Sequence, residues 1–237
     1  MKKYAVIVAG GSGSRMGASV PKQFLLLAGK PVLWYSINTF LAAYDDLQVI
    51  LVVPAGHWEM AKTLVAGVSD PARVRLAEGG ETRFHSVRSG LGFVDGESLV
   101  AVHDGVRCLA SIGLVRRCFE QAARLGSAIP VVDCKDSVRW MEGGGSKPMD
   151  RRRVKLVQTP QTFLGGLLLG AFESQGGSVG LGAIAGRDGA EFTDEATVVE
   201  AAGHAVHLVE GEVNNIKITL PADLVFAEQL IRKEGWA

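Results

Sequence analysis

The chain has 237 residues, 47% of them hydrophobic, which is enough to bury a full core and fits one α/β domain with an appendage. Its 25 basic and 25 acidic residues cancel, so the balance argues against broad binding to nucleic acid or to an anionic membrane and points to ligands held at local sites. Cys108, Cys118 and Cys134 are odd in number and show no Cys-x-x-Cys spacing, as expected of reduced structural thiols in a cytoplasmic protein rather than of a disulfide framework or a zinc site.

Tyr4 to Ala9 reads as a first buried strand. Lys2 and Lys3 before it imitate the start of a signal peptide, but glycine breaks the apolar run too soon, and no segment is long enough to span a bilayer. The strand runs into Ala9-Gly10-Gly11-Ser12-Gly13-Ser14-Arg15-Met16-Gly17, followed by Pro21-Lys22-Gln23. Glycines let backbone N–H groups approach phosphate oxygens, while Arg15 and Lys22 can neutralise a triphosphate and a departing pyrophosphate. Two familiar phosphate loops do not fit. A dinucleotide fingerprint needs an acid near the end of the second strand, about twenty residues on, and that strand ends Leu51-Val52-Val53-Pro54. A P-loop needs Ser or Thr after Gly-Lys, and Gly29-Lys30 runs into Pro31.

Pro31 opens a helix whose Leu33, Ile37, Phe40, Leu41 and Tyr44 fall on one core-facing side. Further strands are expected at Leu47 to Val53, Val74 to Ala77, Leu99 to His103 and Ala128 to Val132, with helices at Gly56 to Ala66, Phe84 to Val94 and Ile112 to Leu125. That alternation builds a mostly parallel sheet with crossover helices, and its ligands collect at the carboxyl ends of strands.

The loop after Ala77 contains Gly79-Gly80 ahead of a helix carrying Ser86, an arrangement that exposes backbone groups to a base edge and suits a base and ribose site. The loop after His103 begins Asp104-Gly105-Val106-Arg107. Asp104 is a natural magnesium ligand, because hard cations prefer carboxylate oxygens; the helix that follows is better capped by Ser111. His103 reads as a packed strand residue, and the five scattered histidines form neither a metal site nor a triad.

Residues 136–153 break the rhythm. Alternation through Ser137-Val138-Arg139-Trp140 and the turn Gly143-Gly144-Gly145-Ser146 predict a projecting β hairpin, an arm of the kind that packs on a second subunit. Arg151 to Arg153 are either a solvated charge run or, for one of them, a fork for a substrate phosphate. Beyond Val157-Gln158-Thr159-Pro160-Gln161-Thr162-Phe163 come a helix, a glycine-rich stretch from Gly176 to Gly189, and Phe192-Thr193-Asp194-Glu195, in which Thr193 reads as a helix N-cap. The chain closes with a strand through Asn214-Asn215-Ile216-Lys217-Ile218-Thr219 that feeds a final helix; Lys217 either points to solvent or steadies a phosphate.

Taken in order, Gly10-Gly11-Ser12-Gly13-Ser14-Arg15-Met16 with Pro21-Lys22-Gln23, Gly79-Gly80 with Arg83 and Ser86-Val87, Val102-His103-Asp104, Thr159-Pro160-Gln161, Thr193-Asp194-Glu195 and Asn215-Ile216-Lys217-Ile218-Thr219 span nearly the whole chain. The set resembles the 2-C-methyl-D-erythritol 4-phosphate cytidylyltransferases. The resemblance implies a three-layer, Rossmann-like nucleotidyltransferase fold of one domain, a homodimer joined by the arm, and magnesium-dependent transfer of CMP from CTP to a sugar-alcohol phosphate.

It also implies residue roles. Arg15 and Lys22 would hold the triphosphate; Ala9, Gly10, Gly11, Gly13 and Gly105 would line the nucleotide, with Gly80, Glu81 and Ser86 around cytosine and ribose. Asp104 would lie between nucleotide and acceptor. Ser137 and Arg151 would reach the acceptor phosphate from the partner subunit, and Arg107, Thr159, Thr193 and Lys217 would complete that pocket. Arg15, Lys22, Arg151 and Lys217 would be the catalytic cations. Ser137 stands where the family often has threonine, Cys108 where proline is common, and the stretch around Gly176 to Gly189 is longer and richer in glycine than usual. A sister enzyme acting on ribitol 5-phosphate and a noncatalytic binding module on the same fold are alternative readings.

Overall fold

The apolar run at the start of the chain forms strand β1, Lys2–Val8, in a computed structural model that describes residues 1–11, 20–176 and 192–234. A small hairpin of β2 (Leu26–Leu27) and β3 (Lys30–Pro31) leads into α1 (Val32–Ala43), with Pro31 at its N-cap. Then follow β4 (Leu47–Val53), α2 (Trp58–Ala66), β5 (Val74–Glu78), α3 (Arg83–Leu91), β6 (Ser98–Asp104), α4 (Ile112–Leu125) and β7 (Ser127–Asp133). These match the expected alternation, with two local differences. A separate tight turn at Ala55–His57 delays α2 to Trp58, and Gly92 caps α3 before the expected Val94. The arm is β8 (Val138–Glu142) and β9 (Gly145–Met149); β10 (Lys155–Val157), β11 (Gln161–Leu164), α5 (Gly165–Gly176), α6 (Glu195–Ala201), β12 (Leu208–Glu210) and α7 (Pro221–Glu234) complete the described elements.

The main sheet runs β10-β7-β11-β6-β1-β4-β5, with β12 beside β7. β6, β1, β4 and β5 are parallel, in a register that sets Ile7 against both Leu51 and His103. β7 returns parallel to β6 through the α4 crossover, but the two do not pair directly: β11 lies between them, antiparallel to both. The half of the sheet beyond β6 is therefore mixed.

Both faces are apolar, so the central strands read as nearly continuous hydrophobic runs. On one face Ile7, Leu51 and Ala101 pack with Leu33, Ile37, Phe40 and Phe119; on the other Val6, Val52, Val100 and Val102 pack with Val87, Leu168, Phe172 and Val199. Helices on both sides of the sheet give three layers, the nucleotidyltransferase-like architecture that was expected. A smaller cluster joins Leu27, Tyr35, Cys108, Ile218, Ala227 and Ile231, and so fastens the C-terminal segment beside the end of β6. Cys108 and Cys118 are buried free thiols that burial pushes up to about 12, in keeping with a packing role.

Among the described residues the arm pairs only with itself, from Val138 opposite Met149 to Glu142 opposite Gly145, and leaves Trp140 and Met141 exposed. The strand expected across 214–219 does not form. The chain past Asp104 has already turned away there and offers no ladder; the segment is tied to it by a backbone bond from Ile218 N–H to the Val106 carbonyl at 2.9 Å. Among the described residues no helix is long and apolar enough to cross a membrane.

Candidate active site

A cavity of about 260 Å³ opens at the carboxyl ends of β1, β5 and β6, where ligands of parallel sheets gather. Ala9, Gly10 and Gly11 form one wall as the chain leaves β1. The Ala9 N–H is bonded to the Val52 carbonyl at 2.9 Å, and the Ala9 carbonyl accepts from Gln23 Nε2 at 2.7 Å, so the two ends of the glycine loop are pinned together. Lys22 lines the same wall, is 7% exposed, and donates from Nζ to the Ile218 carbonyl at 2.9 Å. Gly13 and Arg15 lie outside the described residues, as does nearly all of the glycine-rich stretch after Gly176.

Gly80, Glu81, Thr82, Arg83 and Ser86 form the opposite wall. Thr82 caps α3 by accepting from His85 N–H, and the Ser86 hydroxyl donates to the Thr82 carbonyl at 2.9 Å while accepting from Gly80 N–H at 3.2 Å. The loop folds so tightly on α3 that a Cβ at Gly80 would stand 2.4 Å from His85 Cβ, and only glycine fits there. Ser86 therefore shapes the loop, with the backbone left to face the cavity.

Asp104, at the last position of β6, forms the floor. Its Oδ1 accepts from Arg83 Nε at 3.3 Å and Nη2 at 3.2 Å, and its Oδ2 pairs with Lys217 Nζ at 2.8 Å. Burial alone would raise the Asp104 carboxyl, but the charges of Arg83 and Lys217 outweigh it and hold the group well below the usual carboxylate range. Arg83 in turn grips Glu195, Nη1 to Oε1 at 2.5 Å and Nη2 to Oε2 at 3.1 Å. Burial raises the Glu195 carboxyl above its ordinary value, with Arg83 pulling the other way.

Thr159 stands behind Asp104 and is buried. Its Oγ1 accepts from the Asp104 N–H at 3.1 Å and meets His103 Nδ1 at 3.0 Å, while His103 Nε2 reaches the Arg107 carbonyl at 3.2 Å. A carbonyl only accepts, so Nε2 carries the proton and Nδ1 receives the Thr159 hydroxyl. Burial pushes His103 down to about 4, so the ring is neutral. The Thr159 proton is thus committed inward, and the residue anchors the backbone of Asp104.

Several expected residues sit elsewhere. Arg107 does not line the cavity; it braces the C-terminal segment, with Nη1 donating to the Asn215 carbonyl at 2.7 Å and Nη2 to that of Val157 at 3.4 Å. Gly105 is a packing position, since a Cβ there would lie 2.6 Å from Leu33 Cδ1. Thr193 is exposed and is not the N-cap: Asp194, the residue directly before α6, caps it by accepting from Thr197 N–H at 3.0 Å. Ser111 does cap α4 as expected. Ser137 and Arg151 are exposed at the root of the arm, where Arg151 Nη1 donates to the Lys135 carbonyl at 2.6 Å beside a separate basic cavity. Neither reaches the cavity of its own chain.

The Arg83–Glu195 pair was not assigned a role from the sequence. A glutamate in the first turn of a helix reads as a dipole partner, and only tertiary packing aims it at Arg83. A protein-held magnesium ion does not fit: both Asp104 oxygens are engaged by cations, and among the described residues no three His, Cys, Asp or Glu side chains gather.

Comparison with known proteins agrees with this geometry. The family model "IspD: 2-C-methyl-D-erythritol 4-phosphate cytidylyltransferase" matches residues 4–233. The protein of that name from Phocaeicola vulgatus is 44% identical over 231 residues, covering 98% of this chain and 100% of the relative; that from Geobacillus kaustophilus is 35% identical over 234 residues, covering 98% and 97%. Among solved structures, 4-diphosphocytidyl-2C-methyl-D-erythritol synthase from Anaerococcus prevotii superposes with a TM-score of 0.81 at 26% identity, covering 98% of each chain. The Thermus thermophilus 2-C-methyl-D-erythritol 4-phosphate cytidylyltransferase does so with 0.73 at 35% identity, covering 98% and 100%. With the glycine loop, Lys22 and the Asp104–Lys217 pair around one cavity, and with matches of this length, the chain belongs to the 2-C-methyl-D-erythritol 4-phosphate cytidylyltransferase family.

Proposed function

We propose that the protein transfers CMP from CTP to 2-C-methyl-D-erythritol 4-phosphate, forming 4-diphosphocytidyl-2-C-methyl-D-erythritol and pyrophosphate in the non-mevalonate isoprenoid pathway. The observation that carries this reading is the convergence of Gly10, Gly11, Lys22, Gly80, Asp104 and Lys217 on a single cavity. An oxygen of the acceptor phosphate attacks the α-phosphorus, a new P–O bond forms, and the bond to the β-phosphate breaks with its electron pair leaving on pyrophosphate. Two anions must be brought into line, so the demand on the protein is positioning and positive charge rather than a nucleophile.

In this reading the backbone of Gly10, Gly11 and Gly80 to Thr82 receives the nucleotide, and Lys22 and Arg15 neutralise the triphosphate. Lys217, oriented by Asp104, meets the acceptor. Magnesium arrives on the triphosphate rather than being held by the chain. A homodimer is part of the proposal: exposed Trp140 and Met141 put an apolar side chain on each face of the arm, and Ser137 and Arg151 at its root would serve the partner subunit's cavity.

The test is pyrophosphate release from purified protein with CTP and magnesium, comparing 2-C-methyl-D-erythritol 4-phosphate, ribitol 5-phosphate and no acceptor. Release with the erythritol phosphate alone is expected. Release with ribitol phosphate alone would move the protein to the sister activity, and release with neither from a folded, CTP-binding sample would leave a noncatalytic module.

A further inference from the structure

Arg83 is shared unequally between two acids. Its firmest contacts go to Glu195, at 2.5 and 3.1 Å, while both of its contacts to Asp104, at 3.3 and 3.2 Å, converge on Oδ1. Asp104 Oδ2 is left to Lys217 at 2.8 Å. Glu195 is 1% exposed and, with Asp104, makes up the acidic members of the buried described residues. It is also firmly held. Gln161, buried in β11, donates from Nε2 to Asp194 Oδ2 at 3.0 Å and accepts from Ala196 N–H at 2.8 Å, so the residues on either side of Glu195 are clamped to the sheet.

We propose that Glu195 is a positioning residue: by gripping one edge of the Arg83 guanidinium it confines the other edge to Oδ1 of Asp104 and reserves Oδ2 for Lys217. Guanidinium is a planar fork that prefers to face a carboxylate with two parallel bonds. Without the charge at position 195, the free Arg83 closes on both oxygens of Asp104 and displaces the Lys217 ammonium. Lys217, half-exposed and on an irregular segment, then loses the contact that orients it. The proposal rests on the reading of Lys217 as the cation that meets the acceptor, and it predicts damage on the acceptor side of the reaction.

The experiment is steady-state pyrophosphate release by Glu195→Gln with each substrate varied. The expected result is a fall of roughly tenfold or more in kcat/KM for the acceptor, with KM for CTP within about threefold of wild type. In an Arg83→Gln background the Glu195→Gln change should add no further loss, because the two residues then act on one path. Wild-type kinetics, an equal loss for both substrates, or additive losses in the double variant would each overturn the proposal. So would a lowered melting temperature with normal kinetics per folded site. If Glu195→Gln fails to fold, Glu195→Asp carries the test: it keeps the charge with a shorter reach, and an intermediate loss confined to the acceptor is expected, while an unselective loss or none overturns the proposal. Absence of turnover in the wild type would instead overturn the proposed function itself.

Discussion

Lys22 Nζ donates to the backbone carbonyl of Ile218 at 2.9 Å, so the lysine assigned to the triphosphate is tied to the residue next to Lys217. The two ends of the proposed reaction coordinate thus share one contact, made across 196 residues of sequence. Ile218 itself is fully buried, so the carbonyl is a fixed point rather than a mobile one.

Lys22→Ala should lower kcat/KM for CTP by on the order of a hundredfold or more, since the cation proposed to face the leaving group is lost. Leaving the Ile218 carbonyl without this donor should cost about 1–3 kcal/mol of stability. Kinetics and denaturant unfolding on the same preparation check both, and near-normal turnover would remove the triphosphate assignment.

Asp104→Asn should abolish most turnover. Its stability cost should fall below the about 3–5 kcal/mol typical of orphaning a buried ion, because Arg83 keeps Glu195 and Lys217 reaches water. The pH dependence has a definite sign. The folded carboxyl lies below its ordinary value of 3.8, so its contribution is full above that pH and is withdrawn as the pH falls further. The stability gap between wild type and variant should therefore hold from neutrality to about pH 4 and narrow below it. A gap that closes between pH 7 and 5 would contradict the ion-paired state.

His103 predicts a separate acid sensitivity. It stays neutral in the fold down to about 4, whereas in the unfolded chain it takes up a proton near 6.5. The unfolded state therefore gains protons first, and stability declines as pH falls from 6.5 towards 4, by about 3 kcal/mol in total. Urea titrations across that range should show the slope in the wild type and a flatter one in His103→Gln; equal slopes would count against it.

Gly80→Ala places a Cβ against His85 and should push the loop away from α3, destabilising by about 1–3 kcal/mol. The loop is proposed to hold the base, so CTP affinity should weaken by roughly tenfold while the acceptor KM changes less. Calorimetric titration with CTP measures this directly.

Arg151→Ala and Lys217→Ala should each be inactive alone. If the arm serves the partner subunit, mixing and re-annealing the two should restore activity, ideally to about a quarter of wild type, because each mixed dimer contains one intact site. No recovery, with exchange verified by differential labelling, would argue that Arg151 does not act across the dimer.

The sequence by itself determined the parts that depend on local pattern. Apolar runs ended by glycine or proline predict β1, β4 and β6; helical spacing predicts the core side of α1; and alternation about a glycine turn predicts the arm. The glycine loops, Lys22 and Asp104 were legible for the same reason, since their chemistry follows from residue type at the end of a strand. What only the tertiary structure decided are relationships between distant segments. β11 lies antiparallel between β6 and β7, a matter of sheet order with no local signature. Lys217 reaches Asp104 from a segment that is not a strand, because burial of Ile218 and its bonds to Val106 and Lys22 hold it there. Thr159 turns inward to support Asp104, Arg107 turns to brace the C-terminal segment, and Glu195 finds Arg83 across 112 residues. A short polar side chain or an acid at a helix start satisfies local rules equally well facing water or facing a buried cation, and the choice is made by which surfaces the core brings together.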